Sequence, residues 1–219
     1  MYSFISLLLL PLVLAHVVQD KFPYLCNNTS CAEVQSNFTD NSTKCDSCLC
    51  NNKLLGPAEF NITDDIEFNA LFNGYDRFAG SCPDHFLDKY VNKTTIKYQY
   101  PKEQGYAVYN CSSRVNEIFI ANQTYLLPVG YEIDRFGDGQ NGQYLAPRGT
   151  PYAWRSIPPD HVFTDRPSLW TWRVSQTFNI SGGLIKPAFG QPGGGLQFFW
   201  ENGTVDLEKK GWIVLIKAV

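Results

Sequence analysis

The sequence predicts a β-rich α+β fold: a central, mainly antiparallel sheet with a few short helices, preceded by a disulfide-rich, partly helical segment. Three observations carry this. None of the seven cysteines lies beyond Cys111, which divides the chain by composition. From about residue 105 the texture changes to short runs of β-branched and aromatic residues separated by Gly and Pro, the composition of strands and tight turns. No strand–helix–strand spacing appears, which argues against a parallel, doubly wound sheet.

The elements follow in order. Phe4 to Ala15 is almost wholly apolar, too short to span a bilayer but the right length for the core of a signal peptide, with Val13 and Ala15 as small residues before a cleavage site. Residues 1–15 therefore read as a signal peptide, and no later stretch is long enough to span a membrane. Export predicts surface glycans at the Asn-x-Ser/Thr sites Asn28 (overlapping with Asn27), Asn37, Asn41, Asn61, Asn92, Asn110, Asn122, Asn179 and Asn202. It also predicts disulfides among Cys26, Cys31, Cys45, Cys48, Cys50, Cys82 and Cys111, because no His sits near enough to complete a zinc pattern. Seven is odd, so one thiol is free or bridges two chains; spacing leaves the pairing open.

Residues 19–104 form the Cys-rich segment. Within it Thr63, Asp64, Asp65 and Glu67 predict a helix start and Asn73-Gly74 its stop, after about two and a half turns. Pro83 to Tyr90 predicts a second short helix. Residues 105–219 form the β-rich unit, with strands expected over Glu117–Ala121, Thr124–Leu127, Tyr131–Phe136, Thr171–Phe178, Leu196–Trp200 and Trp212–Lys217, and a short helix over Val205–Lys210. Trp172, Val174 and Gln176 alternate onto one face of the Thr171–Phe178 run.

Composition excludes some functions. The net charge is −3, with no basic excess to neutralise a nucleic-acid backbone; a small anionic ligand needs only a few placed arginines. Gly137-Asp-Gly-Gln-Asn-Gly142 matches the dinucleotide pattern G-x-G-x-x-G, but that pattern works only where the last glycine opens a helix. Here Pro147 and Pro151 follow, so a tight hairpin turn is expected instead. Gly190–Gly195 lacks the G-K-[ST] ending of a phosphate loop. The serine-hydrolase and zinc-protease signatures are absent, and His85 and His161 stand in different halves, which leaves little material for histidine chemistry.

What remains is a run of special residues: Asp134-Arg135-Phe136-Gly137, Tyr144-Leu-Ala-Pro147, Gly149-Thr-Pro-Tyr152, Arg155-Ser-Ile-Pro-Pro159, and Ala188-Phe-Gly-Gln191-Pro-Gly-Gly-Gly195. In this order these blocks resemble the tuberculosis necrotizing toxin domain, and in particular the secreted NAD glycohydrolases of fungi, over roughly residues 105–219. The resemblance implies hydrolysis of NAD, and often NADP, to nicotinamide and ADP-ribose, with no cofactor. It makes Gln191 the first choice for the catalytic position, contacting ribose or orienting water. Arg135 and Arg155 become candidates for diphosphate or ribose, since guanidinium forks suit phosphate oxygens, with Arg155 placed among the catalytic residues. Arg148 is a weaker candidate of the same kind. Phe136 is a candidate stacking partner for nicotinamide or adenine.

One departure stands out: where the bacterial toxin has a histidine, this sequence aligns Trp170, which can stack on substrate but cannot shuttle protons. The chemistry tolerates this, because nicotinamide leaves as a neutral base and needs no acid. A calcium site is compatible with the sequence but not indicated by it, and by analogy a homodimer could form through the Cys-rich segment. Two rivals remain. An ADP-ribosyltransferase would need a glutamate framework, whereas Arg155-Ser156 runs into Ile157. A non-catalytic adhesion glycoprotein would show no NAD cleavage at all.

Overall fold

The computed structural model describes residue 26 and residues 29–60, 63–110, 118–120, 122–139 and 141–219. The expected signal peptide, the sequons at Asn28 and Asn61, the side chain of Asn110 and the seventh cysteine, Cys111, lie outside the described residues.

The N-terminal part is built on helices α1 (Thr29–Phe38), α2 (Ile66–Ala70) and α3 (Pro83–Tyr90), followed by the small hairpin β1 (Val91–Asn92) and β2 (Lys97–Tyr98). Helix α1 buries one narrow stripe, Ser30, Val34 and Phe38, at a spacing of one helical turn; a stripe this thin leaves little periodic signal in the sequence. Asp65 caps α2 by accepting from the Phe68 amide at 3.0 Å, two residues later than Thr63, and regular helix ends at Ala70 before turns carry the chain to Gly74. The disulfides are Cys26–Cys82, Cys31–Cys50 and Cys45–Cys48. Cys26–Cys82, together with Ser30, which donates to Asp84 at 2.5 Å, ties the start of α1 to the start of α3, and Cys31–Cys50 ties α1 to the 3-10 turn Leu49–Asn51. Val34, Phe38, Leu55, Phe86 and Leu87 form the core of this part.

A hairpin of β3 (Val108–Asn110) and β4 (Ile118–Ile120) leads into the main sheet. Its strands are β5 (Asn122–Leu127), β6 (Glu132–Phe136), β7 (Tyr144–Pro147), β8 (Leu169–Val174), β9 (Phe178–Leu184), β10 (Leu196–Phe199) and β11 (Ile213–Ala218), with helix α4 (Gly203–Lys209) between the last two. The order is β11-β8-β6-β7-β10-β9-β5 and every pairing is antiparallel. The predicted β-rich α+β class with a mainly antiparallel sheet is the observed one.

The expected strand over Thr171–Phe178 is two strands. β8 ends at Val174, a turn spans 175–177, and β9 starts at Phe178. Strands β7 and β9 of the main sheet, and β1, β2 and β3 outside it, are additional to the expected set. β9 carries Gly182-Gly183, and a Cβ at Gly182 would lie 2.9 Å from the Gln197 carbonyl oxygen, so close strand packing requires the residue that breaks the strand signal.

Register assigns the two faces of the sheet. Ile133 pairs with Trp172 and Arg135 with Trp170, while Asp134 pairs with Thr171 and Phe136 with Leu169. On the first face Ile133, Trp172 and Val174 pack with Leu207 of α4. On the second, Phe136 and Leu169 pack against Phe68, Phe72 and Tyr152, so helix α2 of the N-terminal part closes the core of the C-terminal one. Packing thus crosses the compositional boundary near residue 105 here and again at Phe189, which is buried among Phe86, Tyr90 and Tyr98.

Candidate active site

Where β6 ends, the two faces of the sheet meet a cavity of about 290 Å³. That is near the small end for ligand sites. Arg135 and Phe136 arrive from β6, and Arg155 and Ser156 from the end of a short 3-10 turn, Tyr152–Arg155. His161 comes from a second such turn, Pro159–His161, and Ala188 from the loop before Gln191. Tyr100 and Gln104 close it from the N-terminal side.

Arg155 is almost fully buried and is fixed before any ligand arrives. Its Nη2 donates to Asp134 Oδ1 at 2.6 Å, its Nε to the Thr150 carbonyl at 2.9 Å, and the guanidinium lies 5.1 Å from the centre of the Phe136 ring. The other oxygen of Asp134 accepts from the Gly149 amide at 3.0 Å. Burial pushes the Asp134 carboxyl above its ordinary value, against the pull of Arg155 and the Gly149 amide. The pair therefore consists of two desolvated charges that need each other.

Arg135 is held differently. Its Nε donates to the Asp138 carbonyl at 2.7 Å and its Nη1 to the Tyr144 carbonyl at 3.0 Å. Burial lowers its pKa from the ordinary arginine value, yet a guanidinium remains charged at any physiological pH. A third cation, Lys186, lines the same cavity. Leu145, Ala146, Ile157 and Ala188 add apolar lining to it. Tyr100 stays a neutral phenol, its pKa raised by desolvation and by nearby Asp160. A site of fixed guanidinium groups beside an aromatic and aliphatic wall suits an anion joined to a flat ring.

Gly137 to Gly142 lie in the β6–β7 connection: the two strands do form an antiparallel hairpin, but residues 137–143 separate them, a longer loop than the tight turn expected. Its glycines make room for the protein's own side chains. A Cβ at Gly142 would fall 1.7 Å from Arg135 Nε, one at Gly139 2.1 Å from the Trp170 ring, and one at Gly137 3.0 Å from His161. The loop is anchored from below by α4, whose Thr204 amide donates to the Gly142 carbonyl at 3.0 Å.

Residues 126–216 match the tuberculosis necrotizing toxin family. Over 208 residues the chain is 31% identical to the conidial surface nicotinamide adenine dinucleotide glycohydrolase nadA of Aspergillus fumigatus, covering 92% of this chain and 82% of that one. The chain belongs to the tuberculosis necrotizing toxin family. Among solved structures, the tuberculosis necrotizing toxin complexed with its immunity factor is 14% identical, covering 81% of this chain and 98% of that one with a TM-score of 0.45. Rhs1-CT in complex with its immunity protein is 19% identical, covering 45% and 80%, with a TM-score of 0.34.

Of the residues singled out in this member of the toxin family, Arg135, Phe136 and Arg155 meet at the cavity. Phe136 is 3% exposed and sits edge-on to Tyr152, so most of its ring is core. Trp170 lies beside Arg135 in register and near-parallel to Trp172, with Gly139 over its ring; it backs the site and does not line the cavity. Gln191 is buried one turn behind Ala188: the two residues exchange backbone hydrogen bonds, and the Gln191 Nε2 donates to the Asp76 carbonyl at 2.6 Å. Arg148 is not brought to the site. It pairs with Glu132 and, at 2.6 Å, with Glu67 on the surface.

Sequence reasoning passed over Tyr100, Ser156 and His161. His161 Nδ1 lies 3.0 Å from Asp160 Oδ1, and its ring meets Tyr100 edge-on. The Asp160-His161 dipeptide was a visible signal. That it faces Arg135 depends on Gly137 lying beneath the imidazole, which no spacing rule exposes.

Proposed function

We propose that the protein is an NAD glycohydrolase that cleaves the nicotinamide–ribose bond of NAD or NADP and releases free ADP-ribose. The observation that carries this is a cavity combining Arg135 and pre-fixed Arg155 with an apolar wall, in a chain of the family to which a conidial surface NAD glycohydrolase belongs. In this reading the guanidinium groups take the diphosphate and ribose oxygens, and the apolar wall takes the nicotinamide ring. The C1′–N bond breaks with its electron pair passing to the pyridinium nitrogen, so neutral nicotinamide departs without a proton. Fixed dipoles around the ribose stabilise the oxocarbenium-like state. Water then bonds to C1′ and gives up a proton.

Gln191 is the proposed acceptor for that water or for a ribose hydroxyl. Its Nε2 faces a backbone carbonyl, which accepts only, so the amide is oriented and Oε1 is the atom left to accept. Export to the cell surface is part of the same proposal. Three disulfides persist only in an oxidising compartment, and the described sequon residues Asn37, Asn41, Asn92, Asn122, Asn179 and Asn202 are all exposed. No helix among the described residues is long and apolar enough to cross a membrane.

The deciding measurement is release of nicotinamide and ADP-ribose from NAD by the purified, disulfide-intact protein. Gln191→Ala is expected to lower kcat about a hundredfold or more, the scale of losing one preorganised polar contact. Absence of nicotinamide release overturns the reading, and ADP-ribose attached to protein replaces it with a transferase.

A further inference from the structure

Ser156 is the least comfortable residue of the cavity wall. It ends the Tyr152–Arg155 turn in the left-handed conformation, at φ 45° and ψ 46°, which side chains other than glycine adopt at a cost. It is only 5% exposed, and among the described residues its Oγ has no hydrogen-bond partner. A buried hydroxyl left unpaired adds a second penalty. Glycine at this position would remove both, so the free protein gains nothing from this side chain.

The neighbours define what the hydroxyl could serve. Arg155 beside it commits its Nη2 to Asp134 and its Nε to the Thr150 carbonyl. Ile157 and Ala188 add apolar lining to the cavity, which Arg135, His161 and Lys186 also line. A sugar or phosphate, with several polar atoms, is matched by those charged side chains. A flat heteroaromatic ring with a single amide fits the remaining stretch: its face meets Ile157 and Ala188, and its amide finds one hydroxyl that both donates and accepts.

We propose that Ser156 is the specificity residue for the leaving group, binding the carboxamide of nicotinamide through its Oγ. This rests on the NAD glycohydrolase reading, and it places nicotinamide at the Ser156–Ile157–Ala188 wall, with the diphosphate toward Arg135. The bond forms equally in bound substrate and transition state, so its loss raises KM and leaves kcat near its original value.

The test uses the full-length, disulfide-bonded protein with Ser156→Gly and Ser156→Ala. Nicotinamide and pyridine binding are measured by NMR titration, and NAD cleavage by nicotinamide release. Both variants are expected to weaken nicotinamide binding roughly five- to tenfold, the range of one neutral hydrogen bond. Pyridine, which lacks the carboxamide, is expected to bind all three proteins alike. KM for NAD rises by a similar factor, and Ser156→Gly unfolds at a higher temperature than the unsubstituted protein. The proposal is overturned if that protein does not bind nicotinamide, if the variants bind it as tightly, or if pyridine binding falls in parallel. Nicotinamide binding without NAD cleavage would sink the activity while leaving the Ser156 assignment standing.

Discussion

Asp134 and Arg155 sit at the bottom of the site with 1% and 6% of their side chains exposed, which makes each dependent on the other. Replacing Asp134 with Ala leaves a guanidinium in the core without its counter-charge, so stability should fall by about 3–5 kcal/mol, read as a drop in the denaturant midpoint at unchanged slope. Arg135 gives a contrasting case. Gly142→Ala puts a methyl where its Nε now lies, and the guanidinium must swing away. The expected result is a KM for NAD raised about tenfold or more, the scale of one charge-assisted hydrogen bond. Arg135→Ala should match it, and the double variant should be no worse than either alone; additive losses would mean that Gly142 acts by another route. At this scale the sequence was partly legible. The blocks around Arg135, Phe136 and Arg155 announced themselves by composition. Arg148 looked the same, and whether an arginine meets a ligand or an acid was decided by Glu67, 81 residues away.

The elements are held in place by charge as well as by packing. Glu132 on β6 takes Arg148 and, at 2.7 Å, Arg173 of β8, while Lys217 of β11 reaches Asp65 and Glu67 of the α2 cap. Hydrogen bonds from Arg148 and Arg173 hold the Glu132 carboxyl below its ordinary 4.5; Arg148, then Lys217, do the same for Glu67. A depressed carboxylate adds stability that is fully present above its unfolded value and is lost as pH falls through the folded one. The melting temperature should therefore decline as pH drops below about 4.5. Arg148→Ala should flatten that decline and leave KM for NAD unchanged; a KM shift would return Arg148 to the binding site. Strand β6 was readable from its composition between turn signals, and β8 in part from the alternation of Trp172 and Val174. Strand β9 was not, because Gly182 lets a neighbouring strand approach and carries no apolar side chain to mark the face.

For the whole molecule, the disulfide-bonded part and the sheet share one fate. Phe189, in the block that carries Gln191, is 1% exposed and packs in the N-terminal core with Val34 and Phe86. The Cys26–Cys82 bridge closes a loop with a sequence separation of 56, which in the chain-entropy picture stabilises by about 4 kcal/mol. Cys26→Ser with Cys82→Ser should thus lower thermal stability and, because the Ala188–Gly195 turn loses its anchor, nicotinamide release as well. Activity that survives while the N-terminal part unfolds, followed by proteolysis, would show that the sheet works alone. The change of composition at residue 105 suggested two units, since cysteine content is a local property. The packing that joins them runs through Phe136, Tyr152 and Phe189, and contacts at that range leave no trace in composition.

The glycines between β6 and β7 also bear on how such sequences are searched. A missing Cβ records only that some atom occupies the space. In a phosphate cradle that atom belongs to the ligand; here it belongs to Trp170, Arg135 or His161. The same six-letter string can therefore be written by steric clearance around a guanidinium as well as by nucleotide recognition. A saturation scan of residues 137–142, read by folding stability and not by NAD cleavage, should tell the two apart: the stability lost on substituting Gly139 or Gly142 would be restored by shortening Trp170 or Arg135, a pairwise signature that a ligand-filled cradle does not produce.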